Sequence, residues 1–321
     1  MRQGGGRGRW SVSKDEAGAS ATRRGRWFRL RLASILLSMV GVPAVPACSS
    51  TPQVAPDREA ALRRIDAADR RLASLDRFEA TGTAVLPIRD ASGEIEREQL
   101  DLLILRERPG RLAVRLKLSV TDTLAWLGSD GARWWLFLPE EDPSTVWHGA
   151  VRSAPRRAVG AGEIPLPASL RHPLLVDLLL GLEPAGTLEG LGWDGSSRRW
   201  ILESAVPFGG GDSGWRVRRS YPPDAAAPSR VEVLDSEDRL VAGSRLADHV
   251  RVEVPDRAVG DWPLVPMRIE LIGPDPADGV VRLALERPSG LGRRVRPAAF
   301  AWERLLGSMR PMRIVDVGAD S

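Results

Sequence analysis

Few residues in this 321-residue chain are of a type and spacing that could do covalent chemistry. Ser213 lies in Gly211-Asp-Ser-Gly214, a segment of the kind that presents a nucleophilic serine, but Trp215 stands where such a turn continues with Gly. No Ala-His-Cys segment precedes it, and a nucleophilic serine needs a histidine base within hydrogen-bond reach. The segment therefore reads as a Gly-rich hairpin turn after Gly209-Gly210. His148, His172 and His249 are far apart in the chain, form no HExxH pair, and are joined by a single cysteine, so no zinc site is expected. No Gly-rich loop ends in Gly-Lys-Ser/Thr, so there is no phosphate loop of that type. The carboxylates fall mostly on alternating strand positions and read as a solvated face; a catalytic carboxylate pair stays open. These residues predict a protein that is not an enzyme and carries no cofactor or metal.

The one cysteine has a different context. Cys48 ends the run Leu32-Ala-Ser-Ile-Leu-Leu-Ser-Met-Val-Gly-Val-Pro-Ala-Val-Pro-Ala-Cys48, and Arg23, Arg24, Arg26, Arg29 and Arg31 lie upstream. A basic start, a short apolar stretch and small residues before a cleavage point make an export signal. The apolar run Leu32–Val42 is about half of the ~20 residues a spanning helix needs. Val45-Pro46-Ala47-Cys48 resembles a bacterial lipobox, which implies that Cys48 becomes the acylated first residue of the mature chain. A lone thiol has no internal disulfide partner in an oxidising compartment, and acylation removes it. Ser49 follows where lipoproteins retained in the inner membrane often carry Asp, which implies the outer membrane, facing the periplasm.

Charge agrees with export. The whole chain carries +4, yet residues 1–47 hold nine basic and two acidic side chains, so residues 48–321 carry −3. The basic balance belongs to the leader, and a nucleic-acid partner is not expected.

These features imply residues 1–47 as signal with an unstructured extension, 48–56 as tether, and 57–321 as one domain. Asp57 suits the cap of a helix to about Leu75, with Leu62, Ile65, Leu72 and Leu75 on one stripe. The period then changes to two. Phe78, Ala80, Gly82, Ala84 and Leu86 alternate with polar residues, Asp90–Gly93 is a turn, and a strand spans about 95–106. In the clearest strand, Leu112, Val114, Leu116 and Leu118 share one face and Arg111, Ala113, Arg115 and Lys117 the other. Such alternation predicts an antiparallel sheet with one wet face. Strands are predicted at 124–127, 132–138 and 144–148 and, after an irregular stretch over 149–166, at 198–203, 215–221, 230–235, 250–254, 267–272, 280–286 and 314–317. Between these two groups, Pro173-Leu-Leu-Val-Asp-Leu-Leu-Leu-Gly-Leu182 predicts a helix starting at Pro173 and ending at Gly181. It is apolar almost all round, so it must be buried or must cover something apolar. Most tryptophans read as core and sheet packing.

The order of elements, with "RERPGRLAVRLKL", "GSDGARWWLFLP", "HPLLVDLLLGL", "PMRIELIG" and "VVRLALER", resembles the LolA/LolB lipoprotein-carrier superfamily, with RseB-type sensors related. The resemblance covers about residues 57–317. It implies a mainly β, α+β fold: an open half-barrel of antiparallel strands with helices covering the concave apolar face. It implies acyl chains of lipids or lipoproteins as partners, held between sheet and lid, in an anchored protein that contacts the membrane through Cys48. Candidate lid residues are Leu174, Leu175, Leu178 and Leu179; candidate sheet residues are Leu112, Val114, Leu116, Trp126, Trp134 and Leu136. A dry core made of these same residues is the competing reading, and the two stand even. Two departures are noted: the mature chain is longer than LolB, and Ser119–Thr123 lacks the bulky apolar tip of LolB's protruding loop. The alternative function is an envelope sensor of RseB type that binds a protein partner without lipid transfer.

Overall fold

Asp57 opens the first helix as predicted, its carboxylate accepting from the backbone N–H groups of Glu59 and Ala60. The helix, α1 (Arg58–Ala73), buries Ala61, Ile65 and Leu72. The protein is described by a computed structural model over residues 56–89, 95–118, 123–139, 143–151, 166–185, 190–206, 214–276 and 279–317. The leader with Cys48, most of the tether, the 90–93 turn, most of the 119–123 connection, most of the 149–166 stretch and residues 211–213 lie outside these.

Among the described residues the strands are β1 (Arg77–Arg89), β2 (Ile95–Glu107), β3 (Arg111–Lys117), β4 (Thr123–Asp130), β5 (Arg133–Leu138), β6 (Thr145–Ala150), β7 (Gly192–Asp194), β8 (Arg199–Ala205), β9 (Arg216–Tyr221), β10 (Arg230–Leu234), β11 (Leu240–Ala247), β12 (Val250–Arg251), β13 (Leu264–Val265), β14 (Arg268–Ile272), β15 (Val280–Ser289) and β16 (Arg313–Asp316). Two further helices are α2 (Pro173–Leu179) and α3 (Trp302–Met309). Fourteen strands form one sheet in the order β16-β6-β5-β4-β3-β2-β1-β15-β14-β11-β10-β9-β8-β7, and β12 pairs with β13 apart from it. The sheet does not close on itself. Every pair in it is antiparallel except β6–β16, which is parallel. The fold is thus mainly β, α+β: the antiparallel sheet that the alternation predicts, open as the family resemblance implies, with α1 and α2 on its inner face.

The seam between β1 and β15 divides the sheet into two runs of seven strands, here the first half-sheet (β16 to β1) and the second half-sheet (β15 to β7). The inner faces of both contribute to one buried cluster that includes Leu112, Val114, Val231, Leu246, Leu271 and all the leucines of α2. The helix α1 adds a second cluster, setting Ala61 and Ile65 against Trp200, Leu202 and Tyr221. Each fully buried leucine contributes roughly 1.5–3 kcal/mol, so the helices and both half-sheets hold one another.

Four elements escape the sequence pattern: β7, β11, β13 and α3. The strand β11 reads Leu-Val-Ala-Gly-Ser-Arg-Leu-Ala, poor in the branched and aromatic residues that favour strands. It forms because β10 and β14 supply both of its edges. The helix α3 contains Gly307 and is only eight residues long. Its Trp302 and Leu305, three apart, pack on Trp135, Phe137 and Val146 on the outer face of the first half-sheet. Leu118, expected on the buried face of β3, lies just past the strand end and is 52% exposed.

Candidate functional site

The site is the inner face under α2. His172 caps this helix, its Nδ1 accepting from the Leu174 N–H at 3.1 Å, and Pro173 occupies the first position. Gly181 ends the segment at φ +67°, a left-handed conformation that glycine adopts without cost. A Cβ there would come within 2.6 Å of Leu246 Cδ1, so the same glycine permits close approach to the second half-sheet. All seven residues of α2 are buried, and Leu175, Val176, Leu178 and Leu179 are wholly so. The helix touches β3 and β4 on one side and β10 and β11 on the other. It bridges the concavity between the half-sheets.

Nine of the ten predicted wall residues meet here. Leu112, Val114, Leu116, Trp134 and Leu136 of the sheet and Leu174, Leu175, Leu178 and Leu179 of the helix belong to one cluster. Trp126 does not. The register of β4 turns Ala125, Leu127 and Ser129 inward and Trp126 outward, opposite Arg115 and Phe137. Its ring lies half-buried beside the α3 cluster, with the Arg115 guanidinium 5.1 Å from its centroid. Bulk alone suggested Trp126 as a wall residue; strand parity puts it on the other side.

The helix carries one charge, and that charge is its firmest link to the sheet. Asp177 accepts from Arg106 Nε of β2 at 2.6 Å, with 1% of the arginine side chain and 5% of the aspartate exposed. Glu183, four residues past α2, also pairs with the Arg106 guanidinium and stands 3.5 Å from Arg108. Arg108 Nη2 donates to the Leu182 carbonyl at 3.2 Å and Nη1 to the Ala73 carbonyl at 3.1 Å. Burial, reinforced by the positive Arg106, lowers the Arg108 pKa to about 10. The segment that leaves α2 is pinned twice more: Asp69 of α1 accepts from the Ala185 N–H at 2.8 Å, and Arg219 of β9 reaches the Pro184 carbonyl at 3.5 Å. Sequence reasoning passed over Arg106 and Asp177. The available signal was an aspartate in an otherwise apolar helix, since a charge in such a helix must find a partner.

His172 is fully enclosed, its ring 5.0 Å from that of Trp134. With no carboxylate to compensate, burial lowers its pKa to about 3, so it is neutral at physiological pH. Two cavities that touch the α2 segment among the described residues are small. One, lined by Leu112, Ser129, Val151, Leu174 and Asp177, holds about 20 Å³. Another, by Asp69, Gly181, Glu183, Arg219 and His249, also holds about 20 Å³. That is room for about one water, far below the roughly 300–1,000 Å³ of ligand pockets. The described residues of α2 and of the sheet beneath it pack directly on one another.

No family model matches the chain, and no curated protein matches it. Among solved structures it is similar to a LolA superfamily protein from Nitrosomonas europaea, at 13% identity over 71% of this chain and 92% of the other, with a TM-score of 0.44. It is also similar to a DUF1329 family protein from Desulfovibrio piger, at 13% identity over 78% and 100% of the two chains, TM-score 0.46. A third similar structure is a domain from Vibrio parahaemolyticus named for outer membrane lipoprotein sorting, at 16% identity over 71% and 92%, TM-score 0.43.

Proposed function

We propose that this protein is an envelope lipoprotein, anchored through Cys48 to the outer membrane and facing the periplasm, that takes acyl chains of lipids or lipoproteins onto its inner sheet face when α2 lifts. The observation that carries this reading is the buried Arg106–Asp177 pair with Glu183 beside it. A buried ion pair is weak evidence for stability, because well-packed apolar residues in its place often do as well or better. An entirely buried helix needs no such pair to stay down. A helix that must dock in one register and also come free has a use for a directional contact that water can replace. Once lifted, α2 would uncover a concave wall of Leu112, Val114, Leu116, Trp134 and Leu136, apolar and adaptable as acyl binding requires.

The test is a fluorescent fatty-acid probe titrated into the wild type and Leu178→Glu, with thermal melting of both. Leu178 is wholly buried, so a carboxylate there must protonate or force the helix out. Probe binding by the wild type that falls in a folded Leu178→Glu protein supports the carrier. A wild type that never binds the probe, together with an unfolded variant, defeats it. Anchoring is checked separately: Cys48→Ala should leave the membrane fraction, and an unlipidated wild type would refute that part.

A further inference from the structure

The outer face of the second half-sheet holds a groove of about 600 Å³, the size of a small-ligand site and far larger than the spaces beside α2. Its walls are strand side chains in register. In one row, Ile201 of β8, Ser220 of β9, Arg230 of β10 and Arg245 of β11 stand opposite one another across successive strands. Arg199 lies two residues before Ile201 on the same face, and its Nη1 donates to the Ser229 hydroxyl.

Arg230 and Arg245 are directly opposed, and like charges in that position repel. Arg230 pairs with Glu232 at 2.7 Å, and Arg245 stands 3.5 Å from Glu270, a carboxylate it shares with Arg282. A guanidinium has five N–H donors, so most of those on the two arginines stay available to the groove. The carboxylate at the far end, Glu203, is held by Arg216 at 3.1 Å and Arg218 at 2.7 Å. Asp194 also lines the groove, opposite Arg199, and is held by the Ser196 and Ser197 hydroxyls, so each lining carboxylate has its own donors, and Arg199, Arg230 and Arg245 lie at neighbouring positions of the groove. Two positions on this face lack a side chain. Gly243 sits opposite Glu232 and Gly192 opposite Ile201. A Cβ at Gly243 would come no closer than 3.5 Å to any atom, and one at Gly192 would meet nothing within 4 Å. The backbone does not require these glycines, and their effect is to leave the groove open.

We propose that this groove binds a phosphate-bearing molecule, its oxyanion seated on Arg199, Arg230 and Arg245 and its polar body lying toward Ser220 and Gly243. Forked guanidinium donors suit tetrahedral oxyanions, and serine hydroxyls suit the hydroxyls of a glycerol or sugar unit. The same chemistry is offered by a soluble phosphoester and by a phospholipid headgroup. The site is on the opposite face from α2 and does not depend on the acyl-chain reading.

The experiment uses the full-length purified protein and two probes: glycerol 3-phosphate, followed by calorimetry, and phosphatidylglycerol vesicles against phosphatidylcholine vesicles, followed by co-sedimentation. Variants are Arg230→Gln/Arg245→Gln, Arg199→Gln, and Arg268→Gln as a control on the same face that pairs with Asp248 outside the groove. The expected result is binding that weakens at least tenfold in the double variant, weakens in Arg199→Gln and is unchanged in Arg268→Gln, with the melting temperature preserved. Binding of the soluble phosphoester identifies a soluble ligand as sufficient; binding only of phosphatidylglycerol vesicles identifies a headgroup. Binding of neither probe, or equal weakening by Arg268→Gln, overturns the proposal, the latter because only general charge attraction would then be acting.

Discussion

The two half-sheets have the same number of strands and share one inner core, yet their outer faces follow opposite rules. On the first, Trp135, Phe137 and Val146 are buried beneath Trp302 and Leu305 of α3, and Leu105 and Ala113 beneath Val295 and Phe300. On the second, the corresponding positions are Glu203, Arg218, Glu232, Arg245, Glu270 and Arg282, laced by ion pairs and all at least partly in contact with solvent. A strand covered on both faces loses its alternation, as the burial of all but the first residue of Arg133–Leu138 demonstrates. A strand with one wet face keeps it. Charged residues outside and apolar ones inside are thus kept across the second half-sheet and over part of β1–β3, while the C-terminal segment covers β5, β6 and part of β2 and β3 as a second layer. Close packing enforces this locally: a Cβ on Gly128 would fall 2.4 Å from the Trp135 ring, which lies across it.

The comparison can be broken most forcefully at Trp135. Trp135→Ala empties a wholly buried outer-face site and should cost about 3–5 kcal/mol in denaturant unfolding; a loss below about 1 kcal/mol would mean that α3 is not part of the core. Next comes the helix latch shared by the inner faces. Asp177→Ala leaves Arg106 buried with Glu183 alone and should cost about 3 kcal/mol. Arg106→Met with Asp177→Leu should recover most of it, and double-mutant unfolding curves measure the recovery. A double variant as stable as wild type but slower to take up a fatty-acid probe would tie the latch to opening.

A smaller effect is expected from pH. His172 titrates at about 3 in the folded state against about 6.5 unfolded. The unfolded chain therefore binds more protons below pH 6.5. Stability from this group is complete above that pH and is lost as pH falls from 6.5 toward 3. The loss at pH 5 relative to pH 8 should be about 2 kcal/mol, and His172→Gln should flatten that part of the profile. An unchanged slope would mean that the histidine is solvated. The smallest effect belongs to the wet face. Arg218→Ala removes a partly exposed partner of Glu203 and should change stability by less than about 1 kcal/mol. A loss comparable with that of Trp135→Ala would show the second outer face to be covered after all.

The sequence by itself determined the strand periods, the start of α1 at Asp57, the buried character of Leu174–Leu182 and the antiparallel class of the sheet. These are local properties: a period of two or of 3.6 is written in a dozen adjacent residues, and burial follows from it. What only the tertiary structure decided depends on residues distant in the chain. Trp126 faces outward because of the register of β4 against its neighbours, which one residue of slip would reverse. The strand β11 exists because β10 and β14 flank it. Asp177 is held by an arginine 71 residues earlier, and α3 covers a sheet whose strands lie more than 150 residues before it. Whether the apolar wall meets a ligand or a helix was likewise beyond periodicity, since its sequence is the same in both cases; that α2 packs on it is a fact of tertiary structure.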